Sequence, residues 1–141
     1  MALSASTLQI GESRAEVIVD DLTRTQLVMY AGASGDYNPL HTDDKYTTEI
    51  AGYPSVFAHG MLTMGISARV ITDWVGDGRI TKYGVRFSRQ VWPGDTLTTT
   101  VTVESIEGLE TAAPVALFTV STRNQHGEEV ISGYAAARLD L

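Results

Sequence analysis

Residues 34 to 41 read Ser-Gly-Asp-Tyr-Asn-Pro-Leu-His, which sets a carboxylate, Asp36, five positions before an imidazole, His41. Histidine is the usual proton carrier near neutral pH, and a nearby carboxylate can orient it or share the work. Asn38 lies between them, and Pro39 keeps Asn38 out of the αR region and the segment extended or turned. A loop held in this way can point both titratable groups in one direction. The same residues also suit an Asp that caps a turn and a surface His, because short motifs recur by chance. A second candidate is "AHGMLTMG", where His59 and Gly60 stand at the head of the most apolar stretch. The first N–H groups of a helix lack internal partners and carry partial positive charge, and a glycine lets a ligand oxygen come close. Such an N–H can hold a carbonyl oxygen as negative charge builds on it. The plain alternative is a capping His and a Gly that relieves packing.

Other chemistries find less support. The chain has no cysteine, which excludes disulfides and thiolate chemistry. His41, His59 and His126 are not at metal-ligand spacing, there is no H-E-x-x-H, and no metal site is expected. His126 sits in the turn-like "QHGE". Ser34 is not in a G-x-S-x-G elbow, and "GASGD" lacks the lysine of a phosphate loop. A net charge of −7 argues against binding a nucleic-acid backbone as the main role. A local basic group, Lys82, Arg86 and Arg89 in "TKYGVRFSR", remains open to an anionic ligand or to plain solvation of a strand face. Trp74, Trp92, Tyr83 and Phe87 read as core or interface residues.

The elements that must position these residues follow from the pattern. "AEVIVDD" reads as a strand. Thr23, with Gln26 three residues on, forms a capping box for a helix through "TRTQLVMYAGAS", which sets Leu27, Tyr30 and Ala31 on one side and ends at Gly35. "DDKYTTEIAG" holds a helical turn capped by Asp43, and "YPSVFAHG" is irregular. "HGMLTMGISARVITDWVG" has apolar residues nearly all round, which predicts a fully buried helix. Four strands follow: "ITKYGVRFSRQVW", "TLTTTVTVESI", "APVALFTVSTRN" and "EVISGYAAARLDL". The breaks "PGD", "EGLET" and "QHGE" predict consecutive antiparallel hairpins. The expected class is α+β, an antiparallel sheet around one apolar helix, as a single domain over residues 1–141. With no basic, apolar leader and no membrane-length apolar run, a cytoplasmic protein is expected.

Taken together, "YAGASGDYNPLHTD", then "FAHGMLTMG", then "VRFSRQVWPGDTL", resemble the MaoC-like family. These are (R)-specific enoyl-CoA hydratases and (3R)-hydroxyacyl-thioester dehydratases with the hot-dog fold. The chain looks especially similar to the catalytic beta-type subunit of bacterial type II hydroxyacyl-ACP dehydratases. The resemblance implies Asp36 and His41 as the catalytic pair, Asn38 as support in the same loop, and Gly60 N–H as the oxyanion donor. A serine that some members carry further along this helix falls at Ala68 here, next to Ser67. His59 is expected at the substrate, and Arg86 and Arg89 at the phosphates of CoA or phosphopantetheine. The implied substrate is an acyl-CoA or acyl-carrier-protein thioester, with no cofactor. The implied assembly is a homodimer or larger homo-oligomer, or a heterodimer with a partner that lacks the Asp–His motif. Two other readings stay open: a hot-dog thioesterase, and an acyl-binding subunit that turns over only with its partner.

Overall fold

The structure, a computed structural model, describes residues 3–141. Five strands form one antiparallel sheet: β1 (Ser13–Val19), β2 (Ile80–Phe87), β3 (Leu97–Glu107), β4 (Val115–Arg123) and β5 (Glu129–Arg138). Their order is β1-β3-β4-β5-β2, so β1 and β2 are the two edges. Two α-helices accompany the sheet, α1 (Arg24–Ser34) and α2 (Gly60–Val75). This is the hot-dog arrangement, a sheet curled around one long helix.

The threonine-rich strand shows why the sheet has an inside. In β3, Leu97, Thr99, Val101 and Val103 are all buried while their neighbours are not, the period of two that a half-buried strand requires. Val101, Val103, Ala116, Phe118, Val120, Ala135 and Ala137 meet Val70, Ile71, Trp74 and Val75 of α2. A second apolar cluster joins Leu22, Leu27, Val56, Ala58, Val91 and Leu97 at the other end of α2. Between the clusters Ser67, Thr99 and Thr122 hydrogen-bond to one another at 2.7–3.2 Å. Three hydroxyls in a ring can each donate once and accept once, so burial leaves none unpaired.

Two expectations are corrected. α2 is not buried all round: Thr63, Ser67, Val70, Ile71, Trp74 and Val75 face the sheet, while Met61 is exposed. The sheet covers one face of the helix, and polar Thr63 and Ser67 lie on that face. The break "PGD" also joins no hairpin, because β2 pairs with β5 and β3 pairs with β1 and β4. Turn residues mark a change of direction, not a pairing partner. Here buried Asp95 accepts from Trp92 N–H and from Gln125, which anchors the crossover as it enters β3. The "EGLET" and "QHGE" breaks do join β3 to β4 and β4 to β5.

α1 starts and stops where its caps dictate. Thr23 Oγ1 accepts from Gln26 N–H at 3.1 Å, and Gln26 Oε1 accepts from Thr23 N–H at 3.1 Å. Gly35 closes the helix in the left-handed conformation, φ 75°, and donates to the Ala31 carbonyl. That conformation is costly for residues with a Cβ, and it turns the chain sharply into the Asp36 segment. β2 is tied to α2 by the Tyr83 hydroxyl, which donates to the Met64 carbonyl at 2.8 Å. Burial pushes that phenol up to about 12.

Candidate active site

From Ser34 onward, side chains and backbone alternate in a ladder of tight turns. Asp36 N–H donates to Ser34 Oγ at 3.1 Å, Asn38 N–H to Asp36 Oδ1 at 3.2 Å, and Leu40 N–H to Asn38 Oδ1 at 3.1 Å. Each is the local side-chain-to-backbone bond that Ser, Asp and Asn favour. Asn38 keeps extended geometry before Pro39, and a 3₁₀ turn over Pro39–His41 follows. After it, Asp43 Oδ1 accepts from Tyr46 N–H, and a π-helical turn, Tyr46–Ile50, extends the helix expected from Asp43. The buried Thr47 hydroxyl donates back toward the Pro39 and Asp43 carbonyls. Arg24, at the start of α1, pairs with Asp44 at 2.6 Å. That guanidinium holds the Asp44 carboxyl below its ordinary value.

His41 is buried, and its ring is fixed from one side. Nδ1 lies 2.6 Å from the Phe57 carbonyl oxygen, while Phe57 N–H donates to the Leu40 carbonyl. A carbonyl only accepts, so Nδ1 carries the proton, and in the neutral ring Nε2 is the free lone pair. Nε2 faces Asp36 Oδ2 at 3.9 Å. The two oxygens of Asp36 therefore have separate roles: Oδ1 takes the Asn38 N–H, and Oδ2 looks toward His41. A gap of 3.9 Å is too wide for a direct hydrogen bond, but an oxygen about 2.8 Å from each atom fits at its apex. Asp36 stays about half exposed, so this gap is open to solvent.

His59 stands behind this pair. Its ring stacks on His41 with centroids 3.7 Å apart and meets Tyr30 edge-on at 4.8 Å. Nε2 lies 3.0 Å from the Asp36 backbone carbonyl, so Nε2 carries the proton and donates. Nδ1 is sealed from solvent without a partner. Burial, together with the nearby His41, lowers the His59 pKa from its ordinary value despite the Asp36 carbonyl. His59 begins α2 through its backbone and makes no side-chain cap. One ring nitrogen is taken and the other is sealed, so the structure places His59 where it holds the Asp36 loop.

Asp36, His41 and His59 each bring one ligand atom within 4.8 Å of the others, the usual prompt for a metal. The stack fits one poorly. His41 Nε2 and His59 Nδ1 are the lone pairs left over, and they lie in nearly parallel planes, 24° apart. No point at about 2 Å lies along both lone pairs, as a bound ion would need.

Gly60 opens α2 beside a cavity of about 300 Å³ lined by Phe57, Ala58, Gly60, Thr63, Phe87 and the chain 88–91. A Cβ on Gly60 would meet three atoms of the Phe87 ring at 3.1–3.2 Å, so the bare backbone is what fits under that ring. Asp36 and His41 are not in the cavity lining; His41 adjoins it through Phe57, whose ring it meets edge-on. Arg89 lines the cavity and pairs with Glu128 at 3.5 Å; the Asn124 side-chain hydrogen bond first, and then the Arg89 charge, hold the Glu128 carboxyl below its ordinary value. Arg86 is not brought there. Phe87 reaches Gly60, so alternation sends Arg86 to the opposite face of β2, beside Ser132 and Tyr134. Sequence reasoning missed the Phe57 carbonyl, because a backbone group has no letter of its own. It also passed over Thr63, although a threonine one turn beyond Gly60 is a visible signal.

The profile of the MaoC-like domain matches residues 6–125. The chain belongs to the MaoC-like family. Among curated relatives, it is 37% identical over 86 residues to 3-hydroxyacyl-thioester dehydratase Y of Mycobacterium tuberculosis, covering 59% of this chain and 30% of that one. It is 33% identical over 99 residues to the (R)-specific enoyl-CoA hydratase of Rhodospirillum rubrum, covering 69% of this chain and 68% of that one. The chain thus spans less than a third of the mycobacterial relative. The unliganded R-hydratase PhaJ1 of Pseudomonas aeruginosa superimposes with a TM-score of 0.84 at 26% identity, over 99% of this chain and 86% of that one. The segment from Asp36 to His41 lies between α1 and α2 of this MaoC-like chain. No helix among the described residues is long and apolar enough to cross a membrane.

Proposed function

We propose that this MaoC-like chain, as one domain, is a hydro-lyase. It adds water to 2-enoyl thioesters and, in reverse, removes it from (3R)-hydroxyacyl thioesters. The observation that carries this reading is the 3.9 Å gap between Asp36 Oδ2 and His41 Nε2, with His41 fixed through Nδ1 and Gly60 N–H at the adjoining cavity. Names borne by the M. tuberculosis and R. rubrum relatives support it. A water held by both groups loses a proton to the pair as its oxygen bonds to C3. The C2=C3 π electrons move toward the thioester oxygen, where Gly60 N–H stabilises the enolate. The enolate collapses as the pair returns a proton to C2. Dehydration retraces these steps. Asn38 acts by holding Asp36 Oδ1, and Arg89 faces the carrier end of the substrate.

The thioester carrier, CoA or acyl carrier protein, binds at the polar rim of Ser88, Arg89 and Gln90. A second chain adds to the open edge of β2, whose Phe87 is half exposed beside Gly60. Light scattering of the purified chain tests that assembly. The central test is loss of enoyl absorbance on mixing with crotonyl-CoA. Asp36→Asn and His41→Ala each lower kcat by at least about 10²-fold, the scale of an acid–base group. Wild-type rates in both variants would overturn the assignment, and release of free thiol in place of hydration would make the chain a thioesterase.

A further inference from the structure

The geometry points to Thr63 as a second oxyanion donor, acting with Gly60 N–H on the thioester oxygen. The inference rests on the hydro-lyase reading and adds a catalytic residue to it. The Thr63 side chain is 3% exposed and lines the same cavity as Gly60. Among the described residues its hydroxyl has no hydrogen-bond partner, which sets it apart from every other buried hydroxyl. Thr47 donates to carbonyls, and Ser67, Thr99 and Thr122 satisfy one another. Thr72, also on α2, donates to the carbonyl four residues back, the ordinary fate of a helical threonine. The sealed unpartnered side-chain atoms are His59 Nδ1 and Trp74 Nε1. Thr63 Oγ1 is not one of them, and the little surface Thr63 keeps opens on the cavity.

Thr63 lies three residues after Gly60, one turn along α2, and helical side chains lean toward the N-terminus. That lean directs the Thr63 side chain toward the first turn of α2, which Gly60 opens, and both residues line the cavity. Two donors from different directions suit an enolate oxygen, which carries more lone-pair density than the carbonyl it replaces. As the oxygen of water bonds to C3 and the π electrons reach the thioester oxygen, the two donors take up that charge together. They release it when C2 gains its proton. Donors that act on developing charge raise kcat more than they lower KM.

The test uses the full chain and two readouts. Thr63→Val keeps the shape of the side chain and removes the hydroxyl; Thr63→Ser keeps the hydroxyl. With crotonyl-CoA, Thr63→Val is expected to lower kcat by about 10²-fold with little change in KM, the scale of one lost oxyanion donor. Thr63→Ser should keep most of the rate, and thermal melts verify that both variants fold. The second readout does not need turnover: the enolate absorbance of bound acetoacetyl-CoA should fall in Thr63→Val and persist in Asp36→Asn. Equal enolate signals in wild type and Thr63→Val would overturn the inference, as would a change in KM alone. If wild type binds the enolate through Thr63 yet hydrates no enoyl thioester, the donor stands and the hydro-lyase reading falls.

Discussion

His59 gives a prediction whose sign follows from its surroundings. The ring is 2% exposed, donates through Nε2 to the Asp36 carbonyl, and leaves Nδ1 sealed without a partner. A second proton on that nitrogen would place a buried positive charge against His41, with only the exposed Asp36 carboxylate in compensation. The folded pKa therefore lies below the ordinary 6.5, and burial is the largest cause. Above that value neither state carries the extra proton, and His59 adds no pH dependence. As pH falls below it, the unfolded chain takes a proton that the folded chain refuses, so stability is lost. One pH unit below 6.5 the loss is at most about 1.4 kcal/mol, reached if the folded pKa is far lower. His59→Phe keeps an aromatic ring on His41 and cannot titrate. It gives up one hydrogen bond, worth about 1 kcal/mol net, and removes an unpartnered buried nitrogen that costs a similar amount. Near pH 7.5 the variant should match wild type within about 1 kcal/mol. Urea titrations of both chains from about pH 7.5 to about pH 5.5, across the ordinary histidine range, measure the difference. The stability gap should move in favour of the variant as pH falls. A gap that stays constant across the range would refute the claim that His59 is held neutral.

Thr23→Ala removes the hydroxyl that accepts from Gln26 N–H, while the Thr23 N–H still donates to Gln26 Oε1, and should cost about 1 kcal/mol, read as a fall in Tm of about 3 °C. Gly60→Ala places a Cβ 3.1 Å from the Phe87 ring, so the ring must yield by a few tenths of an ångström. The expected result is a roughly tenfold lower kcat/KM for crotonyl-CoA hydration with the fold intact, partly restored by Phe87→Leu in the same chain.

Local signals in the sequence translated directly into structure. The Thr23 and Gln26 box, the Gly35 stop and the inward-facing Leu27 and Ala31, with Tyr30 beside them only partly buried, each rest on chemistry within one or two helical turns, so neighbouring letters suffice. The alternation of β3 is equally local. What the letters did not carry was pairing. The nine residues 88–96 cross from the far edge of the sheet, and nothing in "PGD" says which strand lies beyond. The same limit applied at the site. Asp36 and His41 were legible as types at a spacing, and their 3.9 Å approach is a local outcome of the loop between them. His59 was legible only as a candidate ligand contact. Its actual partner is a backbone carbonyl 23 residues earlier, a relation that only the folded chain creates.

That relation explains how a site built on irregular backbone can be held firmly. Loops are usually the mobile parts of a fold, and a catalytic pair needs a fixed geometry. Here the loop is clamped from two sides. Three successive side-chain-to-backbone bonds stiffen residues 34–40 from within. From outside, the segment that leads into α2 supplies the Phe57 carbonyl to His41 and the His59 ring to the Asp36 carbonyl. Gly60, the next residue, begins α2. Gly60 at the helix start and the two groups that hold His41 and Asp36 therefore belong to one four-residue stretch, Phe57 to Gly60, and move together. A shift of α2 along the sheet would displace His41, Asp36 and the Gly60 N–H at once. The Ser67, Thr99 and Thr122 hydroxyls oppose that shift, because sliding the helix would break a buried ring of hydrogen bonds that apolar neighbours cannot replace. The polar break in the middle of the core thus resists sliding of α2, and through Phe57 and His59 it steadies the gap that the loop sets between Asp36 and His41.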